Sequence, residues 1–268
     1  MTKLWTMLLA VAALAGCGGE YTLTVPDSVT PAGEDAPVVL RLQRNDFLVL
    51  DLPVEQAAMR LRAGKGIERG AYTDRHGYAG TTVPVPQEPG VYTLQVDHQD
   101  SEYGDEVHGT GRVYVWQKDR PIVAVDLDCV PLAEAAASAG LSKLAQTASI
   151  AYFTREPVSR HDTLHEQLRT GGFPDGPILL WKRQKWHLER GKWGIPTIEV
   201  ETRLVSELSE MRKTFPMLRT GIAGCPLGAR AFSEAGMRTV LVGDISAPKG
   251  EGPLIRVPGW GELGSVSP

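Results

Sequence analysis

The chain has 268 residues and a formal net charge of −4, from 28 Lys and Arg residues against 32 Asp and Glu residues. That length is enough for one large domain or two modest ones. Lysine and arginine form no cluster along the chain. Nothing in the charge pattern therefore predicts a nucleic-acid partner or a basic patch for anionic membranes.

The first residues have the composition of an export signal. Lys3 precedes an apolar stretch that is too short to span a bilayer as a settled helix. It ends in Leu14-Ala15-Gly16-Cys17, which resembles the lipobox of bacterial lipoproteins. The resemblance implies that residues 1–17 are a signal peptide with Cys17 as the lipidated residue. Acyl chains on Cys17 would then anchor the protein to a membrane, on the periplasmic or extracellular face. An ordinary secretory signal with an incidental cysteine is the alternative, and it too predicts export.

Residues 20–117 have the pattern of an all-β domain. Short segments with alternating apolar and polar residues are separated by Pro and Gly at strand-length intervals, which is typical of a sandwich. The segment Thr73–Ala79, followed by Pro89-Gly90-Val91-Tyr92, resembles the hairpins of bacterial immunoglobulin-like and transthyretin-like surface domains. We therefore expect an immunoglobulin-like β-sandwich over this range. The predicted strands are Val38–Leu42, Phe47–Leu50, Met59–Arg62, Gly90–Val96 and Arg112–Trp116.

Residues 120–268 alternate between strand and helix patterns, which predicts a parallel sheet with right-handed crossovers. The predicted strands are Ile122–Val125, Ala148–Phe153, Pro177–Trp181, Thr220–Ala223 and Thr239–Asp244. The predicted helices are Leu132–Ala145, Arg160–Arg169, Ile198–Lys213 and Ala229–Ala235. The Gly- and Pro-rich tail after Lys249 predicts a peripheral strap. The fold expected for the whole chain is thus multidomain, with a β-sandwich followed by an α/β domain.

Two acids follow the first strand of this second region. Asp126 and Asp128 come at the end of a run of β-branched and small apolar residues, which is typical of a buried parallel strand. Ligands bind at the carboxyl edge of such sheets. An aspartate there can serve as a nucleophile and as an oxygen ligand for Mg²⁺. A solvated strand end is the alternative interpretation.

Three features in this order resemble the haloacid dehalogenase-like (HAD) phosphatases, and most of all the lipin and phosphatidylinositol-transfer-protein (Nir) branch. They are Asp126-Leu127-Asp128, a Thr154 that ends the next strand, and the turn Gly172–Pro177. The resemblance implies an HAD-like Rossmannoid domain over residues 120–268 and a phosphorylated ligand. It implies that Asp126 is the nucleophile, Asp128 the general acid and base, and Thr154 a phosphoryl ligand. Arg203 matches the family's cation best, and Lys182 and Lys185 are the weaker candidates. Asp126 and Asp128 would hold Mg²⁺.

The chain departs from this family at two positions. The stretch Ala223–Arg230 matches the family's fourth motif but contains no acid, and Cys129 replaces the usual Gly after Asp128. Mg²⁺ is commonly held by one or two carboxylates, so the lost acid weakens the case for Mg²⁺. The resemblance leaves two hypotheses: a lipid-anchored protein with weak or lost catalysis and a binding or structural role, or an active Mg²⁺-dependent phosphatase.

The family's strand order bears on the two cysteines beyond Cys17. Its first and fourth strands are neighbours, which would bring Cys129 and Cys225 to the same sheet edge. The resemblance implies a disulfide between them in an exported protein. Two separate buried thiols are one alternative. A thiolate metal site shared with Asp126 is another, although two cysteines and one aspartate lack a fourth ligand.

Overall fold

The computed structural model describes residues 20–46, 50–64, 68–99, 106–180, 182–187, 197–202, 204–248 and 252–268. The predicted lipidation residue Cys17 and the predicted cation Arg203 lie outside the described residues. In the described part of the chain, no helix combines the length and hydropathy that a membrane-spanning helix needs.

Residues 20–116, here called the N-terminal β region, form two sheets. Their strands are β1 (Glu20–Thr24), β2 (Ser28–Pro31), β3 (Ala36–Asp46), β4 (Leu50–Pro53), β5 (Ala58–Ala63), β6 (Arg69–Tyr72), β7 (Tyr78–Val83), β8 (Gly90–Gln99) and β9 (Glu106–Trp116). One sheet has the order β1-β3-β4, with β7 also paired to β3, and the other has the order β2-β9-β8-β5-β6. Pairing is antiparallel except between β2 and β9.

One hydrophobic cluster joins the two sheets. Leu40 and Leu42 come from β3 of the first sheet, while Leu61 and Leu94 come from β5 and β8 of the second, and all four are buried in the same cluster. Exposed and buried residues alternate along β5, as they do in a strand with one face on a core. The two sheets therefore pack face to face around this cluster.

Residues 122–268, here called the C-terminal α/β region, contain eight strands and four α-helices among the described residues. The strands are β10 (Ile122–Asp126), β11 (Ser149–Thr154), β12 (Ile178–Leu180), β13 (Lys182–His187), β14 (Thr197–Thr202), β15 (Leu218–Ala223), β16 (Arg238–Val242) and β17 (Leu254–Val257). The helices are α1 (Ala135–Ala145), α2 (His161–Thr170), α3 (Leu204–Thr214) and α4 (Pro226–Glu234). Single 3₁₀ turns or short 3₁₀ helices cover Leu127–Cys129, Val158–Arg160 and Trp260–Ser265.

The predicted parallel sheet is confirmed. Six strands pair in the order β12-β11-β10-β15-β16-β17, and each of these ladders is parallel. Every residue of β10 is buried. Val123 and Val125 belong to a cluster with α1 and α2, whereas Ile122 and Ala124 belong to a cluster with α3 and α4. Helices therefore cover both faces of β10, the central strand.

Two predictions for this region were wrong. The helix predicted over Ile198–Lys213 begins only at Leu204, because Thr197–Thr202 forms β14 and pairs with β13. Its β-branched residues alternate with charged ones, which suits a strand once a partner strand is present. The tail is not merely a strap, since β17 extends the main sheet beside β16.

The two regions are in contact. The ring of Trp116 lies edge-on to Phe215, with 6.0 Å between ring centroids. Val29 packs against the hydrophobic cluster that contains Phe215. Tyr114 donates a hydrogen bond from its hydroxyl to Asp175 Oδ1 over 3.0 Å. Apolar and polar side chains of β2 and β9 thus meet the C-terminal α/β region directly.

Gly140 tests the packing of α1 on the C-terminal 3₁₀ helix. A Cβ atom at Gly140 would overlap with the backbone oxygen of Trp260. Alanine favours an isolated helix over glycine by about 1 kcal/mol, but overpacking costs about 1–3 kcal/mol. We expect Gly140→Ala to lower the free energy of unfolding in urea despite its better helix propensity. The exposed control Ala139→Ser should change it by less than about 0.5 kcal/mol; a stabilised Gly140→Ala protein would contradict this packing.

Candidate active site at the sheet edge

The predicted site residues meet at the carboxyl edge of the parallel sheet. Asp126 is the last residue of β10, and Thr154 is the last residue of the adjacent β11. Asp128 and Cys129 lie in the 3₁₀ turn directly after β10. Cys225 follows β15, the neighbour of β10 on its other side, and caps the N-terminus of α4. Because β11, β10 and β15 are neighbouring parallel strands, the five residues that end or follow them lie close together.

Cys129 and Cys225 form a disulfide, with their Cα atoms 5.9 Å apart. The Sγ atom of Cys225 lies 3.0 Å from Asp126 Oδ2, and that of Cys129 lies 3.6 Å from the same oxygen. Disulfide sulfurs carry no proton, so these contacts are not hydrogen bonds. The disulfide therefore covers the carboxylate of Asp126 without satisfying it.

Helix α4 closes the other side of this carboxylate. A Cβ atom at Gly228 would overlap with the carboxyl group of Asp126, so only glycine allows the helix to approach this closely. Asp126 is 1% exposed, and its Oδ1 has no hydrogen-bond partner among the described residues. The carboxyl group that the resemblance assigns as nucleophile is enclosed between α4 and the disulfide.

This enclosure changes the acidity of Asp126. Burial, followed by the nearby charge of Asp128, raises the pKa of the Asp126 carboxyl, and Arg155 partly offsets both, so that the pKa is about 7. Burial dominates because it disfavours the charged form. Near neutral pH a large share of Asp126 is therefore protonated, and a protonated carboxyl group is a poor nucleophile.

Asp128 is held in a network of its own. Its Oδ1 accepts a hydrogen bond from Thr154 Oγ1 over 2.5 Å. Its Oδ2 accepts from Arg155 Nε over 2.5 Å, and the backbone N–H of Arg155 donates to both oxygens over 3.1–3.2 Å. Thr154 and Asp128 are thus close together, as expected, but they are hydrogen-bonded to each other. Arg155, which sequence reasoning did not assign a role, supplies the cation.

The donor set around Asp126 does not fit Mg²⁺. This ion prefers near-octahedral oxygen coordination, whereas two sulfur atoms lie 3.0 and 3.6 Å from Asp126 Oδ2. Asp128 is paired with Arg155, and residues 223–230 contain no acid. Asp244 is exposed and follows β16, two strands away from β10. Among the described residues, none of these carboxylates is free to share an ion with Asp126.

Three cavities, of about 570, 410 and 260 Å³, are lined by residues of both regions. Asp126 and Asp128 line none of these three. These three cavities therefore lie at the junction between the regions and away from the predicted nucleophile.

A second cluster of chemically active side chains lies at this junction, and sequence reasoning missed it. Asp27, between β1 and β2, meets His161 and His165 of α2, and all three side chains are buried. The two histidines could have been found from the sequence, since histidines four residues apart share a helix face. Asp27 could not, because it lies 134 residues before His161 in the chain.

Comparisons with known proteins do not assign a family. No family model matches the chain, and no curated protein matches it. A carbohydrate acetylesterase from Xanthomonas citri is similar over 84% of this chain and 60% of its own, with 15% identity and a TM-score of 0.33. A Photobacterium 2,6-sialyltransferase covers 84% of this chain with 40% of its own, at 10% identity and a TM-score of 0.22. At these TM-scores the similarity identifies neither a fold nor an activity.

The enclosure of Asp126 predicts a specific pH dependence of stability. Its pKa is about 7 in the folded protein against 3.8 for the ordinary group, so the folded state binds more protons between these values. Asp126 therefore lowers the free energy of unfolding as pH rises from about 4 to 7, by up to about 4 kcal/mol. Asp126→Asn should remove this loss. The free energy of unfolding of the variant minus that of the wild type, measured by urea denaturation, should therefore be larger at pH 8 than at pH 4.5.

The exposed control Asp244→Asn should keep the same difference from the wild type at both pH values. A difference between Asp126→Asn and the wild type that does not change with pH would contradict the raised pKa.

Proposed function

We propose that this chain is an exported, lipid-anchored protein whose HAD-like region has weak or lost phosphatase activity and serves a binding or structural role. In this proposal a β-sandwich domain precedes a HAD-like α/β domain. The observation that carries the proposal is the contact of Cys225 Sγ with Asp126 Oδ2, at 3.0 Å.

Nucleophilic attack on phosphorus by Asp126 needs a charged carboxylate, an open approach and an offset for the developing charge. The disulfide and α4 block the approach, and burial favours the protonated form. Arg155 is already paired with Asp128. Asp126 therefore meets none of these three requirements. The cause in each case is the close packing at the carboxyl edge of the parallel sheet.

A general acid needs a proton that it can give to the leaving group. Asp128 instead accepts hydrogen bonds from Thr154 and from Arg155, and it forms an ion pair with the guanidinium. Both carboxyl oxygens of Asp128 are therefore engaged with neighbouring residues of the protein. Asp128 is therefore suited to holding the turn after β10 against the end of β11, which is a structural role.

The largest of the three cavities described above supports a binding role at another place. It has a volume of about 570 Å³ and lies between β2, β3 and α3. Leu179, Met211 and Phe215 contribute apolar surface, and Glu207 and Glu210 contribute acidic groups. This cavity is formed only where the two regions meet, so a ligand bound there would also hold the regions together.

Phosphatase assays on the purified, oxidised protein test the proposal. With p-nitrophenyl phosphate and Mg²⁺, we expect the wild type and Asp126→Asn to hydrolyse the substrate at the same background rate. The double variant Cys129→Ser/Cys225→Ser should also stay at background, because removing the disulfide does not restore the missing acid. A Mg²⁺-dependent rate that disappears in Asp126→Asn would instead establish the active phosphatase.

The anchor has a separate test in bacterial cells. Cells grown with radiolabelled palmitate should incorporate label into the wild-type chain, which should sediment with the membrane fraction. Cys17→Ser should carry no label and should leave that fraction, because the buried acyl methylenes provide the membrane affinity. An unlabelled wild-type protein in the soluble fraction would contradict the lipid anchor.

A further inference from the structure

We propose that Asp27, His161 and His165 form a binding site for a divalent first-row transition-metal cation, with Zn²⁺ as the best fit. The site lies at the junction between the N-terminal β region and the C-terminal α/β region. It does not depend on any catalytic activity of Asp126.

The helix sets the positions of the two histidines. His161 is the first residue of α2 and His165 lies one turn later, so both side chains fall on the same face. Their rings are 4.7 Å apart between centroids. Two histidines at this spacing on a helix are a recurrent arrangement for Zn²⁺ ligands.

Asp27 supplies a carboxylate that faces both rings. Its Oδ2 accepts hydrogen bonds from the backbone N–H of Ile178 over 2.8 Å and from His165 Nε2 over 2.7 Å. Its Oδ1 lies 3.4 Å from His161 Nε2 and has no hydrogen-bond partner among the described residues. The Asp27 side chain is fully buried. A buried carboxylate oxygen without a partner is costly, and a cation between Oδ1 and the imidazoles would satisfy it.

The distances suit a tetrahedral ion. Bonds of about 2.0–2.1 Å to nitrogen and oxygen separate neighbouring ligand atoms of Zn²⁺ by about 3.3 Å. One ligand atom from each of the three residues lies within 4.8 Å of the other two, and the 3.4 Å between Asp27 and His161 needs little change. Two imidazoles and a carboxylate favour Zn²⁺ and its neighbours over Mg²⁺ or Ca²⁺.

The fourth coordination position has space beside it. A cavity of about 410 Å³ is lined by Asp27, His161 and His165 themselves, together with Thr110 and Gly111. Three protein ligands with an open fourth position are the arrangement of zinc sites that bind water or a small ligand. The fourth coordination position of a bound cation would therefore face the cavity.

Two contacts must change when the ion binds. The backbone N–H of Asp27 donates a hydrogen bond to His161 Nε2 over 3.3 Å, and an ion at this nitrogen would replace it. The second contact is made by Arg112. Its Nη1 lies 3.0 Å from His165 Nδ1, which makes Nδ1 the acceptor and leaves the ring proton on Nε2. An ion at Nε2 moves that proton to Nδ1, and Arg112 must then turn away. Asp175 Oδ1 is 3.7 Å from the same Nη1, and the Arg112 side chain is 44% exposed. Arg112 thus has both a partner and room for the exchange.

Calorimetric titration of the chelator-treated, oxidised protein with ZnCl₂ tests the site. We expect one ion per chain with a dissociation constant in the micromolar range or tighter. His161→Gln and His165→Gln should each weaken binding at least tenfold. Two controls should bind like the wild type. His108→Gln removes an exposed histidine paired with Asp97. Cys129→Ser/Cys225→Ser removes both cysteines of the cluster around Asp126, which is separate from the proposed site.

A second measurement needs no variant and so does not depend on how well one folds. Proton NMR of the wild-type imidazoles should show the ring signals of His161 and His165 shifting with Zn²⁺ up to one equivalent, while that of His108 stays in place. Absence of stoichiometric binding, or binding that shifts other histidines and leaves these two unchanged, would overturn the proposal.

Discussion

The bond between Cys129 and Cys225 exists because β10 and β15 are neighbours in a parallel sheet. Both strands end at the same edge, so residues that follow them are within disulfide distance, and their Cα atoms are 5.9 Å apart. Asp126 lies between these two cysteines and α4. The same bond that stabilises the edge therefore also removes the Asp126 carboxylate from solvent. The raised pKa of Asp126, its enclosure and the poor fit of its surroundings to Mg²⁺ all follow from this single arrangement.

The other polar groups of the edge contact one another. Thr154 and Arg155 both donate hydrogen bonds to Asp128, so Thr154, which the HAD resemblance assigns to phosphate, is engaged with a carboxylate instead. A group of buried charges needs its partners inside the protein. The ion pair of Asp128 and Arg155 meets that need and connects β10 to β11. The edge thus has the sequence features of a phosphate site but the contacts of a structural one.

Much of this could be predicted from the sequence, for identifiable physical reasons. The run Ile122–Val125 is apolar without alternation because helices cover both faces of β10, and a continuous apolar run is what such a strand requires. The segment Thr197–Thr202 was misassigned because its strand character depends on pairing with β13, which no local pattern reveals. Asp27 was missed for a similar reason, since only packing between the regions brings it to α2. Local sequence patterns therefore predict the parallel sheet and the positions of Asp126 and Asp128. The enclosure of Asp126 and the pairing of Asp128 depend on contacts between residues that are distant in the sequence.

The state of Cys129 and Cys225 in the exported protein decides between an enclosed and an open Asp126. The protein should be isolated without reductant, alkylated at free thiols, digested and analysed by mass spectrometry. The account predicts a linked pair of peptides containing Cys129 and Cys225, with neither residue alkylated. Full alkylation of both residues in the folded protein would contradict it, because Asp126 would then have no covalent cover.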